Sequence, residues 1–144
     1  MATSLSTHGW RVTLTGRLLP DSSALERDYP VYRMKLLFRK GPWFYVNYTI
    51  SLFFFLLFRK FDVILSNDLD TLPACRIAAF LRGKKLVYDS HEFFTEVPEL
   101  VHRPATRKIW EIIEKLMLPG IKHSYTVCNS LARIYNEKYG INMN

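Results

Sequence analysis

The sequence predicts an α/β fold in which a mostly parallel sheet is covered by helices on both faces. Three observations carry this expectation. Short apolar runs, too brief for helices, recur at 62–66 (DVILS), 86–88 (LVY) and 124–128 (SYTVC) and read as buried strands. Segments with helical apolar spacing separate them, and strand–helix–strand repeats at this interval mean βαβ units with right-handed crossovers. Each run also ends in a polar cluster at its C-terminal side, where open α/β sheets hold their ligands.

The chain of 144 residues is one domain by length, and 49% apolar with 23% charged residues is ordinary for a soluble globular protein. Aromatic residues reach 15% and cluster between Trp43 and Phe61. A net charge of +7 suits anionic partners such as nucleotide-linked substrates, acidic lipid headgroups or nucleic acid. No RNA-recognition or helix-turn-helix signature is present, so nucleic acid ranks last and is not expected as a partner. The start, Met1 to His8, lacks the basic-then-apolar form of a signal peptide, and a cytoplasmic site is expected. Cys75 and Cys128 show no C-x-x-C spacing and read as two buried thiols in a reducing compartment.

In chain order, residues 1–9 are short and polar, with Gly9 as the stop after a helix end. Residues 11–15 (RVTLT) alternate and are β-branched, a strand by pattern. The stretch 16–30 reads as loop. Residues 32–38 (YRMKLLF) alternate in their first half and read as a strand near an edge, ended by Arg39-Lys40-Gly41-Pro42. The stretch 43–61 is apolar, with basic pairs Arg39-Lys40 and Arg59-Lys60 at its two ends. A membrane span needs roughly 20 apolar residues, and Asn47, Thr49 and Ser51 interrupt the first half. The reading is a helix near 43–60 packed on the sheet, with an interfacial membrane helix or a true span as alternatives.

A helix over 71–82 follows, capped by Asp70 or Thr71, with Pro73 in its first turn and Gly83 past its end. A strand is expected at 85–89. Pro104 opens a helix to 118 with Ile109, Trp110, Ile112, Ile113, Leu116 and Met117 on one side. Arg107, Glu111 and Lys115 form an i, i+4 ladder opposite, and Pro119-Gly120 ends it. After the strand at 124–128, Asn129 or Ser130 caps a last helix to Tyr139.

The candidate chemistry lies at the three strand ends: Asn67, Asp68 and Asp70; Asp89, Ser90, His91 and Glu92; Asn129 and Ser130. Helix capping explains Asp70, Asn129 and Ser130 at least as well. It does not explain His91 and Glu92, because the next helix opens only at Pro104. An imidazole between Asp89 and Glu92 can have its tautomer fixed by either carboxylate. It could then accept a proton, bind a sugar hydroxyl or donate to a phosphate oxygen. Asp68, Asp70, Asp89, His91 and Glu92 are also residue types that bind divalent metal, although spacing alone is weak evidence for a site. No GxGxxG or GxxxxGK[ST] loop is present.

The stretches DVILSNDLDTLPAC, KKLVYDSHEFFTEVPELVHRP and YTVCNSLARIY resemble the N-terminal domain of family 4 glycosyltransferases, especially those of the Bacteroides type. The likeness covers about residues 9 to 140, and DSHEFFTEVPEL is its most specific part. The resemblance implies a retaining transferase of two Rossmann-like domains, the GT-B architecture, with the sugar nucleotide held mainly by the C-terminal one. It places the family's strand-end histidine at His91, where donor sugar meets acceptor, and the Asn67-Asp68 loop in the same cleft. Two departures stand out. The family's opening βα unit, whose strand would lie between 11–15 and 62–66 in a 3-2-1-4-5-6 sheet, has no counterpart, nor has the C-terminal donor domain. The chain therefore reads as a partial acceptor-side domain, inactive alone.

The first functional reading is thus the acceptor-side half of a retaining glycosyltransferase in polysaccharide biosynthesis. It would serve a nucleotide-sugar donor and a glycan or lipid-linked acceptor, at the inner face of the membrane. His91 would orient the transferred sugar, while Asp68 or Glu92 would bind acceptor hydroxyls. The departing phosphate would take the acceptor proton, so no cofactor is called for. The alternatives are a metal-dependent hydrolase or phosphotransferase using Asp68, Asp89 and His91, and a non-catalytic membrane-surface module.

Overall fold

A computed structural model describes residues 1–24 and 26–144, apart from the side chains of Glu99 and Val101. The loop expected over 16–30 therefore includes one residue, Leu25, outside the described residues. The chain divides into two compact units, Met1–Ser51 and Leu52–Asn144. Each holds its own parallel sheet, of two strands in the first and three in the second. This mixed α/β construction is that of a Rossmann-like α/β/α domain, as the alternation of short apolar runs and helical segments predicts.

The first unit opens with helix α1 (Ala2–Thr7), after which Gly9 takes a positive φ of 84°. Strands β1 (Leu14–Arg17) and β2 (Val31–Met34) pair in parallel from Leu14↔Val31 to Arg17↔Met34. The expected strand at 11–15 is thus displaced toward the C-terminus. Leu14 donates its N–H to the Pro30 carbonyl at 3.0 Å, so the ladder begins only where the partner strand becomes available. The expected strand at 32–38 also stops short, at Met34. Beyond it the Leu37 N–H turns to the Asn47 side chain at 2.9 Å and leaves the sheet direction. Helix α2 (Pro42–Phe58) buries Phe44 and Tyr48, whose rings stack 5.9 Å apart. The Arg17 guanidinium lies over the Phe44 ring.

The second unit takes the last turns of α2, with Leu52 and Leu56 buried. There follow β3 (Val63–Asn67), α3 (Asp68–Leu81), β4 (Lys85–Ser90), a 3-10 turn at Phe94–Glu96 and α4 (Pro98–Val101). Helix α5 (Pro104–Met117), β5 (Ser124–Thr126) and α6 (Asn129–Tyr139) complete it. The sheet order is β3-β4-β5, all parallel. Helix α3 lies against β3, β4 and α5, and α6 against β5. The apolar runs that predicted these strands form the sheet, with Ile64 and Tyr88 buried.

Six local expectations are corrected. The next helical segments after β4 do not wait for Pro104 but are the 3-10 turn and α4, with Phe93 and Val97 rather than His91 or Glu92 at their cap positions. Helix α3 starts at Asp68 rather than 71, and neither Asp70 nor Thr71 caps it; Asn67 holds the cap position, without a side-chain bond. Thr71 instead donates its hydroxyl back to the Asn67 carbonyl at 2.6 Å, which leaves Pro73 inside the helix. Helix α6 likewise has Cys128 at its cap position rather than Asn129 or Ser130. Because β5 ends at Thr126, Cys128 falls beyond the sheet and is exposed, so only Cys75 is a buried thiol. On α5, Ile109, Ile112 and Leu116 are 55%, 49% and 65% exposed, while Trp110 and Glu114 are buried. The inward side is therefore rotated from the one apolar spacing predicts. The ladder opposite forms between Arg107 and Glu111 at 3.3 Å, with Lys108 rather than Lys115 as the second cation, at 3.4 Å.

Candidate functional site

The site is built where β4 ends. The β3–β4 register pairs Asn67 with Asp89, and the β4–β5 register pairs Asp89 with Tyr125 and Ser90 with Thr126. Because the strands are parallel, their polar ends fall on one edge of the sheet, as the sequence predicts. Asn67 and Glu92 are exposed there, and Asn129 and Ser130 are exposed just beyond β5.

Asp68 follows β3 with φ at +58°, in the left-handed region. That conformation costs a non-glycine residue about 1–2 kcal/mol, with Asp among the best tolerated. The turn aims its carboxylate across the edge, where Oδ1 accepts the His91 backbone N–H at 2.9 Å. A hydrogen bond to a charged group contributes about 1.5–3 kcal/mol, enough to offset the turn. The other Asp68 oxygen lies 3.7 Å from His91 Nδ1. His91 Nε2 lies 3.1 Å from Asp89 Oδ2, and the Asp89 side chain is only 3% exposed against 54% for His91. Tyr125 also hydrogen-bonds the Asp89 carboxylate. Burial first, then the charge of Asp89 and that bond, push the Tyr125 hydroxyl far above its ordinary pKa.

This arrangement assigns the ring nitrogens unlike roles. A carboxylate oxygen accepts, so Asp89 receives the hydrogen bond of His91 Nε2–H and fixes the tautomer. In the neutral ring Nδ1 is then an acceptor that, with Asp68 Oδ2, offers two acceptors 3.7 Å apart, each able to receive one hydroxyl proton. The carboxylate that orients the imidazole is thus Asp89; Glu92 contributes its backbone carbonyl to the loop's hydrogen bonds.

The loop carrying His91 and Glu92 is fastened from behind. Ser90 is buried; its hydroxyl donates to the Glu92 carbonyl at 2.9 Å and lies 3.1 Å from the Tyr135 hydroxyl. Tyr135 donates in turn to the Glu92 carbonyl at 3.3 Å. Thr126 donates to the Ser90 carbonyl at 2.6 Å. Phe93 meets Tyr135 edge-on at 5.3 Å, and Phe94 meets Trp110 at 4.8 Å. Thr95 is wholly buried, with its hydroxyl directed at Glu114. Each residue of Phe93-Phe94-Thr95 is therefore an anchor to α5 or α6, which leaves the His91 and Glu92 side chains outside.

Of the predicted site residues, the structure brings Asp68, Asp89 and His91 into direct contact. Asn67, Ser90 and Glu92 flank them on the same edge. Asp70 lies half-buried in the first turn of α3. No contact joins Asn129 or Ser130 to His91 among the interactions of the described residues. Ser90 is a positioning residue here, since its hydroxyl is spent on Glu92 and Tyr135. Sequence reasoning missed Tyr125, Thr126, Tyr135 and Glu114. The strand register would have revealed the first two, opposite Asp89 and Ser90. A cavity of about 460 Å3 in the second unit lies at the other end of the strands, beside Lys84, Lys85, Lys122 and His123. Among the described residues no group of three or more His, Cys, Asp or Glu is placed to hold a metal ion, so the hydrolase alternative gains no support.

No curated protein matches the chain. The profile of the family described as Glycosyltransferase Family 4 matches residues 1–144. The chain therefore belongs to Glycosyltransferase Family 4.

Proposed function

We propose that this chain supplies the acceptor side of a retaining glycosyltransferase that moves a sugar from a nucleotide-sugar donor to a glycan or lipid-linked acceptor. The observation that carries the reading is the His91 constellation. A half-exposed imidazole at a strand end is held by a buried carboxylate at Nε2 and faces a second carboxylate at Nδ1. An acceptor pair of this kind suits two neighbouring sugar hydroxyls, and Asp89 keeps the ring in the receiving tautomer. In this reading Asp68 and Glu92 meet acceptor hydroxyls, Asn67 and Asp70 border them, and Asn129 and Ser130 line the same edge further along. The departing phosphate takes the acceptor proton, so His91 is not required as a base. The sugar nucleotide is held mainly by a second Rossmann-like domain, and the acceptor is a precursor of a surface polysaccharide met at the cytoplasmic face of the membrane.

The test is transfer from a panel of sugar nucleotides, read as nucleoside diphosphate release in the presence of the donor-binding domain. His91→Ala should lose about 2–4 kcal/mol of transition-state stabilisation, the cost of removing one preorganised hydrogen-bonding group. That corresponds to roughly 30- to 900-fold in kcat/KM. Glu92→Ala, which touches acceptor only, should raise the acceptor KM with little change in kcat. Unchanged turnover in the His91 variant would reduce that residue to a structural role and remove the proposal's support.

A further inference from the structure

The strongest unexplained feature is helix α2. Its buried positions Phe44, Tyr48, Leu52 and Leu56 are apolar, as expected of an inward face. Its exposed positions are apolar too. Pro42 is exposed, and Trp43, Val46, Ile50, Phe54 and Phe58 are 66%, 47%, 50%, 50% and 80% exposed. At 3.6 residues per turn these five side chains fall within an arc of about 120° on the side away from the buried row. An ordinary surface helix carries polar residues there. The polar residues of α2 lie off this stripe or are occupied: Thr49 and Ser51 are half-buried, and Asn47 holds the Leu37 N–H. A continuous exposed apolar stripe of this kind marks an interaction surface.

Charge selects the occupant. Between Asp28 and Asp62 the chain has no acidic residue, while Arg33, Lys35, Arg39, Lys40, Arg59 and Lys60 are all cationic. Two copies paired stripe to stripe, in either direction, would bring basic pairs against basic pairs. A surface that is apolar within and anionic at its rim is complementary instead. The helix has 17 residues, about 25 Å at 1.5 Å each, short of a hydrocarbon core of about 30 Å. No helix among the described residues is long and apolar enough to cross a membrane. With one side already covered by protein, α2 on a bilayer would lie in the interface plane.

We infer that the Trp43–Phe58 stripe is a membrane-docking surface for a bilayer rich in anionic lipid, with Arg39, Lys40, Arg59 and Lys60 meeting the headgroups. The inference is independent of the transferase reading. The full chain should co-sediment with phosphatidylcholine vesicles containing phosphatidylglycerol, far less with phosphatidylcholine alone, and less as salt is raised. The double variant Ile50→Gln/Phe54→Gln, altered only at exposed positions, should lower the partition coefficient by about tenfold or more, from the apolar area it no longer buries. Neutralising Arg39, Lys40, Arg59 and Lys60 to alanine should abolish the salt dependence. Vesicles should shift the tryptophan emission to the blue, and Trp43→Phe should remove that shift while Trp10 and Trp110 remain. Absent binding, or equal binding by the Ile50/Phe54 variant, overturns the inference. So does a lipid-free dimer dissociated by that variant, which would make a second copy the occupant. No sugar substrate enters the assay, so its failure leaves the catalytic proposal untouched.

Discussion

Glu114 offers the most demanding test of how the site is supported. Its side chain is wholly buried on α5. One oxygen, Oε2, accepts from Tyr139 and, at 3.4 Å, from Thr95, with Lys138 Nζ at 3.6 Å. The other, Oε1, has no hydrogen-bond partner. Burial pushes the carboxyl above its usual range, opposed by the Tyr139 bond and the Lys138 charge. Glu114→Ala would leave the buried Thr95 hydroxyl without an acceptor, at about 1–3 kcal/mol, and end a charged bond to Tyr139 contributing about 1.5–3 kcal/mol. Lys138, about one-third exposed, can turn to water and adds little. The expected cost is about 3–5 kcal/mol, a large share of the roughly 5–15 kcal/mol a domain possesses. Glu114→Gln keeps an acceptor for Tyr139 and should cost about 1 kcal/mol or less near neutral pH. The pH dependence follows from the raised pKa. The folded state binds the proton more tightly than the unfolded chain, so this contribution is fully present below the ordinary carboxylate value and lost as pH rises through the folded one. Urea unfolding across a pH series should therefore show the wild type gaining on the glutamine variant as pH falls from neutral toward about 4. A flat or opposite trend would mean the carboxyl is not held above its usual range. An alanine cost under about 1 kcal/mol would mean that Thr95 and Tyr139 do not depend on it.

Two further outcomes follow from the same geometry. Tyr135→Phe should cost only about 1 kcal/mol, because Ser90 and the Glu92 carbonyl still satisfy each other; a loss above about 3 kcal/mol in urea unfolding would contradict that sharing. An aromatic disulfide reagent at neutral pH should modify Cys128 in the native protein and both thiols only after unfolding. Cys75 is buried and its thiol is pushed up to about 11, chiefly by that burial.

The sheet of the second unit was legible because its strands are short and nearly unbroken apolar runs, with buried positions in each of them. The misplaced boundaries share another cause: a side chain that captures backbone, which apolar periodicity cannot register. Thr71 pulls the start of α3 forward, and Asn47 takes the Leu37 N–H that β2 would otherwise have used. The face of α5 was misread because Glu114 counts as polar in any periodic pattern. Without it, Ile109, Ile112 and Leu116 define the wrong side. What makes a buried glutamate tolerable is Lys138 and Tyr139, contributed by a different helix. At the site, the polar strand ends were visible but their division of labour was not. Asp89 and Ser90 belong to the strand and are buried, whereas His91 and Glu92 lie just past it and are exposed.

That division explains how an exposed histidine can be held in register. A loop closed only by its own side chains would pay the ordering entropy of its backbone at the moment of binding. Here the backbone is committed beforehand: Ser90 and Glu92 through Tyr135, Thr95 toward Glu114, and the His91 N–H through Asp68. The apolar rings of Phe93 and Phe94 seat the same segment on α6 and α5. The anchors come from both sides of β4, so loss of one leaves the imidazole supported by the others. Substitutions behind the loop should therefore act on stability and, weakly, on affinity, whereas substitutions at His91 or Asp68 should act on turnover. Tyr135→Phe and His91→Ala assayed together separate the two. If Tyr135→Phe lowered kcat as far as His91→Ala, the imidazole would owe its position to the tyrosine alone, and the shared anchoring argued from these distances would be wrong.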